Sequence, residues 1–270
     1  MSLDAADREF AALCSAAQDT LGLHLESYRG RQLERRLGFF RQRHGLASNA
    51  DLARRLRSDE ELRQKFADFL TINVTEFFRN PERFQTPRER YLPALLKQRL
   101  SLRVWSAGCS IGAEIYSVAM LLLEMAPEAK RELLATDIDA GSLARARKAI
   151  YKPQEVRETP VNMRRRYFQE MDDQRLALSP QVRNMVRFQH HDLLRDSFPE
   201  NMDLILCRNV VIYFTQETKA ALYRRLYDSL RPGGILFIGA TESVFEARQI
   251  GLKYREPCFY EKPLQAIARS

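Results

Sequence analysis

Cysteine and histidine are scarce, with four of each in 270 residues. Cys14, Cys109, Cys207 and Cys258 lie far apart and form no CxxC pair, so neither a zinc site nor a thioredoxin-like redox motif is expected. His24, His44 and the adjacent pair His190 and His191 lack ligand spacing, and structural roles are expected for them. No apolar run approaches the roughly 18 residues that a membrane span needs. The first residues, Met1 to Asp7, are polar and acidic, which predicts no signal peptide and a cytoplasmic protein. Hydrophobic content of 45% and charged content of 29% exclude a disordered chain, a collagen or a disulfide-stapled miniature.

What the chain has in excess is positive charge, and it is unevenly placed. The formal net charge is +8. Between Glu26 and Arg57 nine arginines (Arg29, Arg31, Arg35, Arg36, Arg41, Arg43, Arg54, Arg55 and Arg57) face only Glu26, Glu34 and Asp51. Such a surface suits an acidic partner: nucleic acid, an anionic membrane or an acidic protein face. Leu33, Leu37, Phe40 and His44 recur at helical spacing, with arginines around that stripe. Gly45 is the expected helix stop, and Ser48 or Asn49 the next N-cap. Two readings of this helix stand: a solvated face beside a small core, and a partner surface. The concentration of unmatched arginine favours the second.

The texture changes along the chain. Residues Asp4 to about Gln98 read as helices. Strands are expected at Leu102–Trp105, Glu132–Thr136, Val186–Gln189, Met202–Cys207 and Ile235–Gly239, with helices at Glu114–Glu124, Gly141–Ala149 and Gln216–Leu230. The last helix should end at the turn Arg231-Pro232-Gly233-Gly234, and Phe259-Tyr260 should form an edge strand. Alternating strand and helix signals predict a doubly wound α/β domain, and the buried run Met202–Cys207 predicts a central parallel strand. Residues Tyr151–Met185, with three prolines and the alternating stretch Arg175–Leu178, look like an insertion carrying a small hairpin.

Between the first strand and its helix lies Ser106-Ala107-Gly108-Cys109-Ser110-Ile111-Gly112. Glycines there permit a tight turn and close approach of a ligand to backbone. The stretch is not GxGxxG. It spaces like the E/D-x-G-x-G-x-G loop of S-adenosylmethionine enzymes, with Ser106 at the acid and Ser110 at the middle glycine. Asp137, 25 positions after Gly112, ends the second strand, where an acid accepts from ribose hydroxyls. Asp137 and Asp139 also both precede a helix, so N-capping is the alternative role for either. Asp192-Leu193 follows the third strand and Asn209 the fourth, at positions suited to an adenine amino group and to the mouth of a site. Gly108 to Gly112 equally matches the G-x-S-x-G elbow of α/β-hydrolases, but no histidine lies late in the chain to complete it and no oxyanion segment precedes it.

Four long segments, in order, name a family. Thr71 to Asn80, Val104 to Ser117, Ala135 to Asp139 and Cys207 to Phe214 make the chain resemble the CheR family of bacterial chemotaxis receptor methyltransferases over nearly its whole length. Ala113 and Ile115 depart from the family's Gly-Glu-Glu-Pro-Tyr-Ser, while Glu114 is retained. Where family members often carry Asn, Asp192 stands. The resemblance implies an all-α N-terminal domain (residues 1–95) and a Rossmann-like class I methyltransferase domain (96–270), with a β-subdomain inserted at about 152–185. It implies an S-adenosylmethionine-dependent protein-glutamate O-methyltransferase, with S-adenosylhomocysteine as product and no metal. Asn73, Thr75, Arg79, Glu114, Asp137, Asp192, Leu193, Asn209 and Val210 are then the expected cofactor-binding positions. Arg79 and Tyr213 flank the methyl site in the family and are the expected catalytic residues, against a surface arginine and simple core packing as the alternatives. The implied partner is the cytoplasmic helical domain of chemotaxis receptors, docked by Arg31, Arg35, Arg36, Arg41 and Arg43. Recruitment to membrane receptor arrays without membrane insertion, no nucleic acid, and a monomer are expected. A nucleic-acid methyltransferase would carry an Asn/Asp-Pro-Pro-Tyr/Phe motif where Arg208-Asn209-Val210-Val211 stands. A binding protein with a degenerate enzyme domain is the other alternative, and retention of Glu114, Asp137 and Asn209 argues against it.

Overall fold

A computed structural model describes residues 4–28, 30–70, 75–99 and 101–264. It divides into two compact units: one holds residues 1–73 with Tyr213–Lys219, the other the rest of the chain.

The first unit is helical: α1 (Ala5–Leu21), α2 (Gly30–Arg43), α3 (Asn49–Ser58) and α4 (Glu60–Leu70). The expected stripe of α2 is its buried face, since Leu33, Leu37 and Phe40 are all nearly inaccessible. Phe40 packs edge-on to Phe66 at 5.0 Å and lies 4.3 Å from the His44 ring. Beyond α2 the chain turns at Gly45, where φ is +66° and the amide of Leu46 reaches back to the carbonyl of Arg41 at 2.9 Å. Ser48 then caps α3 in a reciprocal box with Asp51, leaving no choice between Ser48 and Asn49. The segment from Tyr213 adds a bridge between Tyr28 and Phe214, whose rings meet at 5.5 Å.

The second unit carries β1 (Ser101–Ala107), β2 (Lys130–Asp137), β3 (Ile150–Tyr151), β4 (Phe168–Glu170), β5 (Leu176–Leu178), β6 (Val186–His190), β7 (Met202–Cys207), β8 (Leu230–Ile238), β9 (Lys253–Glu256) and β10 (Phe259–Glu261). Its helices are α5 (Pro81–Thr86), α6 (Leu92–Gln98), α7 (Ala113–Met125), α8 (Ala140–Lys148), α9 (Val161–Tyr167), α10 (Pro180–Arg183), α11 (Gln216–Ser229) and α12 (Ala247–Ile250). A seven-stranded sheet runs β6-β2-β1-β7-β8-β10-β9. The first five strands are mutually parallel, and β10 is antiparallel to both neighbours. The order reverses beside β1, so the C-terminal ends of β1 and β7 open a crevice at a topological switch point. Every residue of β7 is buried, Asp203 included, as befits a strand covered on both faces. No described helix is long and apolar enough to cross a membrane.

Four expectations differ from what is found. Arg231-Pro232-Gly233-Gly234 does not end α11 before a strand but lies inside β8. Met202 pairs with Leu230 and Leu204 with Ile235, so these four residues bulge opposite Asp203 alone, with Gly233 at φ +80°. Phe259-Tyr260 is not at an edge, because the polar strand Lys253–Glu256 pairs outside it. The small hairpin is a three-stranded sheet, β3-β5-β4, whose first strand comes from Ile150-Tyr151 immediately after α8. Residues 75–98, read with the N-terminal helices, group with the sheet unit. Aromatic packing accounts for this: Phe77 sits edge-on between Tyr151 (4.8 Å) and Phe168 (5.1 Å), Phe84 meets Phe237, and Tyr91 packs on Phe259 and hydrogen-bonds Glu256 at 2.7 Å.

At the opposite end of β7 from the crevice, Asp203 is fully buried. Its carboxylate lies 3.1 Å from Arg99 and 3.4 Å from Arg231, and accepts from the backbone amide of Arg103 at 2.8 Å. Removing one partner from such a cluster strands the others in a low-dielectric setting. Asp203→Ala should lower unfolding stability by roughly 3 kcal/mol, measured by denaturant titration. Wild-type stability in that variant would show that the cluster contributes nothing.

Candidate active site

The loop from β1 to α7 is held by backbone. The amides of Gly108 and Cys109 both donate to the carbonyl of Thr136, at 2.8 and 2.9 Å, tying the end of β1 to β2. Gly108 has φ +80°, and a Cβ there would stand 2.4 Å from Val210 Cγ2, so only glycine lets the two strand ends close. Ser110 is also left-handed and turns its amide onto Asp137 Oδ2 at 2.7 Å. Gly112 then opens α7.

This geometry separates the roles of the two aspartates. Asp139 caps α8, accepting from the amides of Gly141 and Ser142 and from the Ser142 hydroxyl. Asp137 stands at the strand end, accepting from Ser110 N and Asp139 N. Burial pushes its carboxyl above the ordinary range, opposed by those two amides.

Glu114 lies in the first turn of α7, half-buried. Ser106, at the position where the loop pattern has an acid, donates to Glu114 Oε1 at 2.8 Å. Arg208, whose side chain is 2% exposed, lies 3.4 Å from Glu114 Oε2. The same guanidinium donates to the backbone carbonyl of Arg79 at 2.8 Å and reaches Asn80 Oδ1 at 3.4 Å. It lies over the Phe237 ring at 4.5 Å and the Phe84 ring at 5.2 Å. Burial raises Glu114 above the usual carboxylate range, while the charges of Arg208 and Arg79 favour its ionised form. The turn carrying Arg79 is strained at both ends, with positive φ at Phe78 and Asn80, and is tied down by Phe78 N donating to Ser117 Oγ at 2.9 Å.

Asn209 follows β7 with φ +60° and donates its amide to Glu242 Oε2 at 3.0 Å, as does Gly239 at 2.5 Å. Val210 packs on Gly108. Asp192 and Leu193 follow β6, where Asp192 Oδ1 accepts from Leu194 N at 2.8 Å and organises its own turn. Thr75 is half-buried at the start of the segment leading to Arg79. Asn73 and the side chain of Tyr213 lie outside the described residues. His191 is buried against Trp105 and Phe198, a core histidine. The sheet unit therefore gathers Arg79, Glu114, Asp137, Asn209 and Val210 around the ends of β1, β2 and β7, with Asp192 and Leu193 at the end of β6. Arg208 and Glu242 escaped the sequence reading. A lone arginine beside an expected strand end, and a glutamate three residues past another, were the available signals.

In the helical unit, the five arginines of α2 have different fates. Arg35 and Arg43 are exposed. Arg36 hydrogen-bonds the carbonyl of Phe69 and lies over its ring at 5.2 Å, and Arg41 reaches the carbonyl of Ala47 at 3.5 Å. The side chain of Arg31 lies outside the described residues.

Three carboxyls at the strand ends, Glu114, Asp137 and Glu242, are all pushed up chiefly by burial. The folded state therefore holds more protons than the unfolded chain from about pH 4 upward. Their contribution is fully present below the unfolded pKa and is lost as pH rises through the folded values. Among the described residues, Asp137 accepts from two backbone amides, so Asp137→Asn should flatten this decline of stability with pH. Thermal unfolding from pH 4 to 8 checks it, and an unchanged slope would show that Asp137 ionises as it does in the unfolded chain.

Comparison with known proteins places this geometry. Residues 73–255 match the family model "CheR methyltransferase, SAM binding domain", and residues 8–71 match "CheR methyltransferase, all-alpha domain". A chemotaxis protein methyltransferase of Listeria innocua is 36% identical over 257 residues, covering 95% of this chain and 98% of its own. Chemotaxis protein methyltransferase 1 of Pseudomonas aeruginosa is 32% identical over 254 residues, covering 90% and 92%. Chemotaxis protein methyltransferase 2 of Vibrio cholerae is 33% identical over 216 residues, covering 76% and 75%. With both family models matched in order and relatives aligned along almost the full length, the chain belongs to the CheR family of S-adenosylmethionine-binding methyltransferases.

Proposed function

We propose that the protein transfers the methyl group of S-adenosylmethionine to glutamate side chains on the cytoplasmic helical domain of chemotaxis receptors, forming glutamyl methyl esters for sensory adaptation. The observation that carries this reading is the cluster of Arg79, Glu114 and Arg208 at the ends of β1 and β7. Relatives at 32–36% identity bearing the name chemotaxis protein methyltransferase support the pathway.

The donor set fits the cofactor. Glu114, Asp137, Asp192 and Asn209 offer acceptors at successive strand ends, and the cofactor presents an ammonium, two ribose hydroxyls and an adenine amino group, all donors. In this reading Glu114 holds the ammonium by charge pairing, Asp137 the ribose, and Asp192 with Leu193 the adenine. Asn73, Thr75, Asn209 and Val210 complete the cofactor's surround. The bound cofactor supplies a sulfonium-activated methyl group.

The chain's own work is then to place the acceptor. A glutamate carboxylate, with an unperturbed pKa near 4.3, is already nucleophilic at neutral pH, so no general base is needed. What the site contributes is in-line approach and desolvation. Positive charge from Arg79 suits an anionic acceptor and repels an ammonium, which favours a carboxylate over a lysine amine. Tyr213 is proposed as a neutral donor to the same carboxylate. Exposed Arg35 and Arg43 on α2, with Arg31, are proposed to draw in the acidic receptor helix. Arg36 and Arg41, already engaged within the helical unit, add field more than contact.

Two measurements test this. Methyl label transferred from S-adenosylmethionine to a receptor cytoplasmic fragment should be released as methanol by mild alkali, as esters are. Alkali-stable label would exclude carboxyl methylation. Reversing Arg35 and Arg43 to glutamate should raise KM for the receptor fragment at least about threefold and flatten its salt dependence, with S-adenosylmethionine affinity and thermal stability unchanged. An unaltered KM would leave α2 as a solvated face.

A further inference from the structure

Arg208 is spent on no surface role. Its side chain is buried against the edge-on pair Phe84 and Phe237, and its Nε has no hydrogen-bond partner among the described residues. Burying a guanidinium in this way is costly and demands compensation. Desolvation indeed disfavours its charged form, with Glu114 the main opposing influence. The compensation comes from two directions at once: Nη1 toward Glu114 Oε2, and Nη2 to the Arg79 carbonyl and Asn80 Oδ1. With Ser106 on Oε1, both oxygens of Glu114 are fixed in place.

We propose that Arg208 is a positioning residue for the methionine end of the cofactor. Its planar fork locks the Glu114 carboxylate in the orientation that receives the ammonium, and in the same grip fixes the turn that carries Arg79. The inference rests on the assignment of Glu114 to that ammonium. Two features make it more than core packing. A glutamate with three rotatable side-chain bonds at a helix start would otherwise lose its aim, and rotamer freedom must be removed before binding for affinity to benefit. A buried glutamate without a cation beside it also tends to protonate, and a neutral carboxyl cannot pair with an ammonium. Lysine cannot replace this fork, because a single ammonium does not span the carboxylate and the Arg79 carbonyl with fixed geometry.

The test compares two ligands that differ only at the amino-acid end. S-adenosylhomocysteine carries it, whereas 5′-methylthioadenosine keeps the nucleoside and sulfur and lacks it. In calorimetric titrations of the full chain, Arg208→Lys should weaken S-adenosylhomocysteine about tenfold and leave 5′-methylthioadenosine within about twofold of wild type. Equal weakening of both ligands would mark a general structural role and overturn the proposal, as would no weakening of either. Glu114→Gln separates this proposal from the reading beneath it. If that variant loses S-adenosylhomocysteine selectively while Arg208→Lys does not, Glu114 keeps its role and Arg208 loses its own. If Glu114→Gln affects the two ligands alike, both assignments fall. Should Arg208→Lys lack a cooperative unfolding transition, Phe237→Leu, which removes the nearer ring under the guanidinium, should show the same selective loss at smaller size. An equal effect on both ligands there overturns the proposal too.

Discussion

The carbonyl of Thr136, accepting two consecutive amides from the next strand's loop, is the contact on which the site depends. It pulls the exit of β1 against β2 so tightly that Gly108 must lie on Val210 without a side chain between them. Once that closure is made, the remaining geometry has little freedom. Ser110 turns left-handed and its amide meets Asp137. Gly112 starts α7, which puts Glu114 one turn from the strand end. Val210 brings Asn209 and Arg208 to the same place from β7. A backbone constraint thus assembles side chains that lie from 23 positions apart (Glu114 and Asp137) to 95 apart (Glu114 and Asn209).

The assembled groups are costly to the folded chain. Three carboxyls held above their ordinary range, a buried guanidinium, and left-handed backbone at Phe78, Asn80, Ser110 and Asn209 all oppose stability. Such costs are tolerated where binding returns part of them. In the proposed reading, the cofactor's ammonium and ribose hydroxyls are further donors to Glu114 and Asp137. The compensating stability lies elsewhere, in the fully buried β7, the Phe77–Tyr151–Phe168 cluster and the Asp203 network at the far end of the sheet.

Much of this could be read from the residues, and the reasons for the exceptions are physical. Central β7 announces itself as a mostly apolar run because both of its faces are covered, and its bounds are those expected. Polar β9 has no such signal and is a strand only because β10 pairs with it. The turn-like Arg231-Pro232-Gly233-Gly234 is a bend, yet it lies within a strand, since register and not local sequence decides where pairing resumes. Residues 75–98 have helical periodicity whichever unit they join, and only the aromatic contacts of Phe77, Phe84 and Tyr91 settle the matter. At the site, acceptors at strand ends were visible because chain position predicts them. Arg208 was not, because an arginine after a buried strand looks like a surface residue until the structure shows it buried against two rings. Of the two candidate roles for Asp137 and Asp139, the N-cap falls to Asp139, an allocation that residue type and spacing alone leave open.

The central claim is that acceptors at the strand ends receive one nucleoside in one orientation. A crystal structure of the full chain with S-adenosylhomocysteine tests it most directly. The account predicts the ribose hydroxyls on the Asp137 carboxylate, the amino group on Glu114 with Arg208 still beside it, and the sulfur facing Arg79. A nucleoside seated with its adenine toward Glu114, or an amino group that meets neither oxygen of that carboxylate, would contradict it.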